Sequence, residues 1–161
     1  MSDPTPTTPD LYDEHGESLR VLAPGYASYG GHESFSGPVE TVRCREDNSR
    51  VKELLATPGE GRVLVVDGGG SVWCALMGDL IAESAVEHGW AGVVIHGAVR
   101  DVEALRDLPL GVRALASVPR KSTRRGDGEV GVPVSFAGVT IASGDHLYAD
   151  ATGIVVADRA L

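Results

Sequence analysis

The chain has 161 residues, enough for one domain with a substantial core and too few for two. Hydrophobic residues make up 42% and charged residues 23%, the balance of an ordinary globular protein, and no apolar run is long enough to span a membrane. A formal net charge of −9 argues against a surface built to grip a phosphate backbone, so direct nucleic-acid binding is not expected.

Residues 1–6 (MSDPTP) read as a flexible tail ahead of a single domain, 7–161. Thr7 or Thr8 before Pro9 marks a helix start over DLYDEH, with Gly16 as its stop. The Gly-, Ser- and Tyr-rich stretch 24–37 reads as loop with brief strand. Val39 to Arg45 alternates as a half-exposed strand. Asn48 is the expected cap of a helix over SRVKELLA, ended by Pro58-Gly59. Val63 to Val66 is an apolar run suited to a strand buried on both faces, and Gly68-Gly69-Gly70 must turn after it. From Asp79 to His88, an apolar stripe of Leu80, Ile81, Ala82, Ala85 and Val86 predicts a helix with Asp79 as N-cap and Gly89 as stop. Val93 to Ile95 is the next buried strand; Gly97 is expected to turn the chain toward Arg100-Asp101, and Asp101 to cap a short helix. Val112–Val118, Val130–Phe136, Val139–Ile141, His146–Tyr148 and Ile154–Val156 complete a strand-rich final third, with Pro133 at an edge or bulge. The order predicts an α/β fold of mixed sheet layers with helices, not a fully alternating doubly wound sheet.

Cys44 and Cys74 lack metal-ligand or redox spacing, and the N-terminus lacks the layout of a secretory signal. Both features fit a cytoplasmic protein whose thiols are small buried hydrophobes. The triple-glycine turn superficially resembles the loop that binds a dinucleotide or a methyl-donor nucleoside, the basis of a third reading as a methyltransferase, but it lacks the G-x-G-x-x-G spacing. The basic run Arg120 to Arg125 reads as a solvated loop, with contact to RNA or an acidic partner as the alternative. Trp73 and Trp90 are expected in packing or subunit contacts. His88, His96 and His146 lack ligand spacing, His96 being the one placed to approach a strand-end site.

Two segments carry chemistry. Gly78-Asp79-Leu80-Ile81 opens a helix, whose first N–H groups have no internal partner and can receive a carboxylate. Read alone, the segment needs no ligand, because Asp79 can simply cap its helix. Arg100-Asp101 follows a buried strand, offering a planar cationic fork and a hard oxygen ligand suited to Mg²⁺; read locally, a solvated ion pair with Asp101 capping the next helix is slightly the better explanation.

Asp79, twenty intervening residues and then Arg100-Asp101 resemble the D-x20-R-D pattern of class II pyruvate aldolases related to the regulator of ribonuclease activity A. The stretches PGYASYGGHESFSGPVETVRCREDNSRVKELL, GWAGVVIHGAVRDV and PVSFAGVTIASGDHLYADATGIVV extend the resemblance to the RraA-like family over about residues 8–158. It implies a swivelling β/β/α domain assembled as a homotrimer or a hexamer. It also implies a lyase that cleaves 4-hydroxy-4-methyl-2-oxoglutarate and decarboxylates oxaloacetate with Mg²⁺ or Mn²⁺. By position, Gly78 to Ile81 would hold the substrate, Asp79 would order metal-bound water, Arg100 would hold the 2-oxo oxygen and Asp101 would bind the metal. Longer aldolases bring a further acid from a neighbouring subunit; here Asp145, Asp150 and Asp158 are the candidates. The alternative the family offers is a non-catalytic regulator that binds ribonuclease E or an RNA helicase.

Overall fold

The computed structural model describes residues 5–161, so most of the expected N-terminal tail lies outside the described residues. Four parallel strands form the centre: β3 (Phe35–Arg43), β4 (Val63–Asp67), β6 (Gly92–Val99) and β7 (Gly111–Ser117), side by side in that order. The chain therefore crosses the sheet in one direction. Right-handed crossovers then put every connecting helix on one face. These helices are α2 (Ser49–Leu55), α3 (Asp79–Glu87) and α4 (Val102–Arg106). The other face is left for β structure.

That second face is covered by the late strands. β9 (Val134–Phe136) and β10 (Val139–Ile141) form a hairpin. β11 (His146–Ala149) pairs antiparallel with both β12 (Ile154–Ala157) and the first residues of β3. β3 thus belongs to two sheet regions: Phe35 to Pro38 pair with β11, and Val39 to Arg43 with β4. β1 (Arg20–Val21) edges β12, β2 (Ala27–Ser28) edges β7, β8 (Glu129–Val130) flanks the end of β3, and β5 (Ala75–Met77) runs beside the end of β6.

Strand periodicity divides the core in two. Leu64 and Val66 of β4, with Val93 and Ile95 of β6, pack under Val51, Leu55, Ile81, Ala85 and Leu105 of the helices. Their neighbours Val63, Val65 and Val94 point the other way, onto Phe136, Ile141, Leu147 and Val156. Each fully buried aliphatic side chain contributes about 1.5–3 kcal/mol, so β4 and β6 stabilise both layers. α1 (Thr8–His15) lies outermost, where Leu11 meets Val155 and Ala157 on the outer side of β12. Its start is as expected: Thr7 and Asp10 form a reciprocal capping box. Phe35 lies over Gly92 and Gly111, where an added Cβ would come within 2.4 and 2.1 Å of the ring. These two strands therefore accept the aromatic only because they lack side chains there.

Several local expectations are corrected. β3 runs from Phe35 to Arg43, starting earlier than alternation indicated, and is an interior strand: β11 pairs with Phe35 to Pro38 and β8 with Val42 and Arg43. Asn48 makes no side-chain cap to α2; Asp47 Oδ1 accepts the Ser49 N–H instead, and Asn48 Nδ2 donates to Leu76 O. Gly97 does not turn the chain: β6 continues to Val99 through a register shift between Ile95 and Ala98. The expected strand over Val130–Phe136 breaks at Pro133 into β8 and β9. β5 was not anticipated, although the apolar run Cys74 to Met77 was its signal. Among the described residues, no helix is long and apolar enough to cross a membrane.

Candidate functional site

β5 leads straight into α3, and β6 runs alongside β5. Arg100 therefore arrives beside the start of α3, its N–H donating to Met77 O at 3.0 Å. Asp101 follows with φ 59° and ψ 42°, a left-handed conformation that Asp tolerates better than most residues. Asp101 precedes α4 as expected, yet its side chain makes no cap there. The carboxylate reaches the other helix: Oδ2 accepts the Asp79 N–H at 3.1 Å. The Arg100 Nε lies 3.8 Å from the same oxygen, and both side chains are 39% exposed.

Gly78, not Asp79, is the N-cap of α3. Its extended backbone lets Asp79 become the first helical residue, and Asp79 Oδ1 accepts the Leu80 N–H at 2.8 Å. A Cβ on Gly78 would lie 2.5 Å from Asp101 Oδ2 and 3.2 Å from Arg100 Cγ. The missing side chain is thus what lets Arg100 and Asp101 close on the helix start. Ile81 faces the core at 6% exposure, and among the described residues no acceptor is found for its N–H. Leu80 leaves the expected apolar stripe and is 75% exposed. The structure therefore brings together all six site residues expected from the sequence, around one helix terminus whose partial positive charge suits anions.

A divalent cation would find one suitable ligand. Among the described residues, no group of three or more His, Cys, Asp or Glu gathers into a metal cage. Mg²⁺ needs no such cage, since it commonly takes one or two carboxylates plus waters and substrate oxygens. Asp101 is exposed, with Oδ1 unpaired among the described residues, and fits that requirement.

Other candidates are engaged elsewhere. Tyr26 Oη lies 2.7 Å from His96 Nδ1, and the imidazole stacks on Phe136 at 4.7 Å, so His96 serves the β layer and not the strand-end site. Burial, with Asp67 nearby, pushes the Tyr26 phenol up to about 12. Asp145 and Asp158 both hold Arg20, at 2.9 and 2.8 Å, and Asp150 accepts from the Thr8 N–H and hydroxyl. Burial pushes the Cys44 thiol up to about 12 and raises that of Cys74, as expected for inert thiols. The basic run is tethered to the fold: Arg120 stacks on Trp73 at 3.6 Å, Arg124 Nε donates to Asn48 and the Arg125 N–H to Asp47. Trp90 is packed, with Nε1 donating to Thr57 O, whereas Trp73 is 61% exposed.

A cavity of about 1030 Å³ lies between α1, β1 and β12, away from α3. The buried Arg113 lines it, its guanidinium donating to the carbonyls of Tyr26, Glu33 and Asp150. The sequence signal for this residue was a lone cation inside an apolar strand.

Residues 5–156 match the model of the RraA-like family, Aldolase/RraA. A protein of Xanthomonas campestris pv. campestris named "Putative 4-hydroxy-4-methyl-2-oxoglutarate aldolase" is 60% identical, over 94% of this chain and 90% of its own length. One of the same name from Ectopseudomonas mendocina is 54% identical over 96% and 95%. Among solved structures, the RNA-processing inhibitor RraA from Thermus thermophilis superposes with a TM-score of 0.95 at 45% identity, covering 98% of this chain and 96% of that one. A Geobacillus kaustophilus structure described as an S-adenosylmethionine:2-dimethylmenaquinone methyltransferase matches equally well, with a TM-score of 0.95 at 46% identity and 97% of each chain covered.

Proposed function

The chain belongs to the RraA-like family, and on that premise we propose that it is a divalent-metal-dependent lyase of small 2-oxo acids. The observation that carries this reading is the docking of Arg100-Asp101 on the open N-terminus of α3, which gathers cation, carboxylate and helix amides at one point. The aldolase names of relatives at 54% and 60% identity support the same reaction class. The substrates proposed are 4-hydroxy-4-methyl-2-oxoglutarate, cleaved to pyruvate, and oxaloacetate, decarboxylated to pyruvate.

In this reading the substrate carboxylate sits at the amides of Asp79, Leu80 and Ile81. Arg100 directs its guanidinium at the 2-oxo oxygen, where negative charge develops as the carbon–carbon bond breaks and is absent in the substrate; such groups accelerate the step. Asp101 would hold Mg²⁺ or Mn²⁺, which when bound supplies a Lewis acid for the carboxylate and 2-oxo group. Asp79 would orient a water beside that position. Decarboxylation releases CO₂ without a base, whereas aldol cleavage needs a group to take the hydroxyl proton. Leu80 beside the open site is the natural place for a neighbouring subunit of a homotrimer to close over it.

The test is pyruvate release from each substrate with Mg²⁺ or Mn²⁺, set against the metal-only rate and against chelator. Release above the metal-only rate that chelator abolishes is expected; its absence for both substrates sinks the reading. The second reading, a regulator that binds ribonuclease E or an RNA helicase, is favoured by the description of the Thermus relative. Methyl transfer finds little support in the glycine turn, which lacks the G-x-G-x-x-G spacing of a nucleotide loop.

A further inference from the structure

The groups expected to receive the substrate carboxylate already hold carboxylates of the chain itself. The Asp79 N–H donates to Asp101 Oδ2 and the Leu80 N–H to Asp79 Oδ1, while Arg100 Nε faces the same Asp101 oxygen at 3.8 Å. The next amide, that of Ile81, is left without an acceptor among the described residues. From this occupancy, and resting on the lyase reading above, we propose that Asp101 is a resident stand-in for the substrate. Its carboxylate takes the anion position of α3 and is displaced when a 2-oxo acid binds.

The geometry leaves little room for sharing. Gly78 is so close that even one methyl group there would meet Asp101 Oδ2 at 2.5 Å. An incoming carboxylate that took the Asp79 N–H would face the Asp101 carboxylate within a few ångströms, and like charges at that range repel strongly when partly desolvated. Two exits relieve the repulsion. Asp101 can rotate off the amide, or a cation can sit between the two carboxylates. In the first the anion must break the Asp101 contact, so it binds weakly alone; in the second the cation relieves the repulsion, so anion and divalent cation strengthen each other's binding by an equal factor. The left-handed backbone at Asp101 belongs to the same device, since it turns the side chain away from α4 and back onto α3.

The experiment is calorimetric titration with oxalate, a planar dianion shaped like the enolate of pyruvate, into the full chain in chelator. Asp101→Asn keeps the shape and tolerates the left-handed backbone but removes the charge; Asp101→Ala removes every acceptor. Both variants are expected to bind oxalate at least about tenfold more tightly than the wild type without metal, the size expected from removing one partly screened like charge. Added Mg²⁺ should tighten oxalate binding in the wild type and hardly at all in the variants. The amide resonances of Asp79 and Ile81 should shift on titration, which locates the ligand. Metal-free binding by a folded Asp101→Asn that is no tighter than wild type overturns the proposal, as does an unchanged Asp79 amide. Pyruvate release by the wild type reports separately on the lyase reading. Turnover without the gain in the variants removes only the stand-in; the gain without turnover removes only the lyase.

Discussion

Arg100 shows how much of the proposed chemistry rests on one side chain. It is 39% exposed and its ion pair with Asp101 is long, so it contributes little to folding, about 0–1 kcal/mol. Its replacement should therefore separate catalysis from stability. Arg100→Ala is expected to lower kcat for oxaloacetate about 10²–10³-fold, the usual effect of removing one group aimed at developing charge. Thermal melting should stay near wild type. Arg100→Lys should recover only part of the rate, because an ammonium cannot present the planar fork. Steady-state kinetics with melting curves check all three. The sequence joined Arg100-Asp101 to the start of α3 through the family pattern, but it also expected the Asp101 side chain to cap the short helix that follows. Asp101 precedes α4 and caps α3, a choice set by backbone angles that the residue names do not reveal.

The start of α2 illustrates the element scale. Asp47, 1% exposed, is held by the N–H groups of Ser49 and Arg125, and it ties the loop after β7 to the helix. Burial alone would raise its carboxyl. The hydrogen bonds from Ser49, Arg125 and Asp127 outweigh that effect and leave it below the ordinary carboxylate value. A folded pKa below the unfolded one adds stability that is complete above the unfolded value, about 3.9, and lost as pH falls through the folded value. Wild type should therefore exceed Asp47→Asn in stability by a constant amount from about pH 5 to 8, and the gap should close below about pH 4. Urea unfolding across that range measures it. Asp47 escaped the sequence reading because Asn48 beside it is an equally good cap. Only the return of the chain at Thr123 to Arg125, far off in sequence, decides between them.

At the scale of the molecule, a single chain leaves its candidate site on an open shelf, with Leu80 and Trp73 exposed at 75% and 61%. A homotrimer closing over α3 should have about three times the 16.8 kDa chain mass. Leu80→Glu should lower the mass measured by light scattering toward that of one chain; a wild-type monomer would refute the assembly. The sequence by itself determined the elements whose signals are local: the hydroxyl-capped start of α1, the doubly buried β4 and β6, the helix from Asp79, and the family pattern joining Asp79 to Arg100-Asp101. Only the tertiary structure decided what depends on distant partners. It made β3 interior by adding β11, put Phe35 on Gly92 and Gly111, committed His96 to Tyr26 and Phe136, and turned Asp101 onto α3. The physical reason is that periodicity and capping are set within a few residues of chain. The partner of a polar side chain is instead fixed by which strands the crossovers bring together.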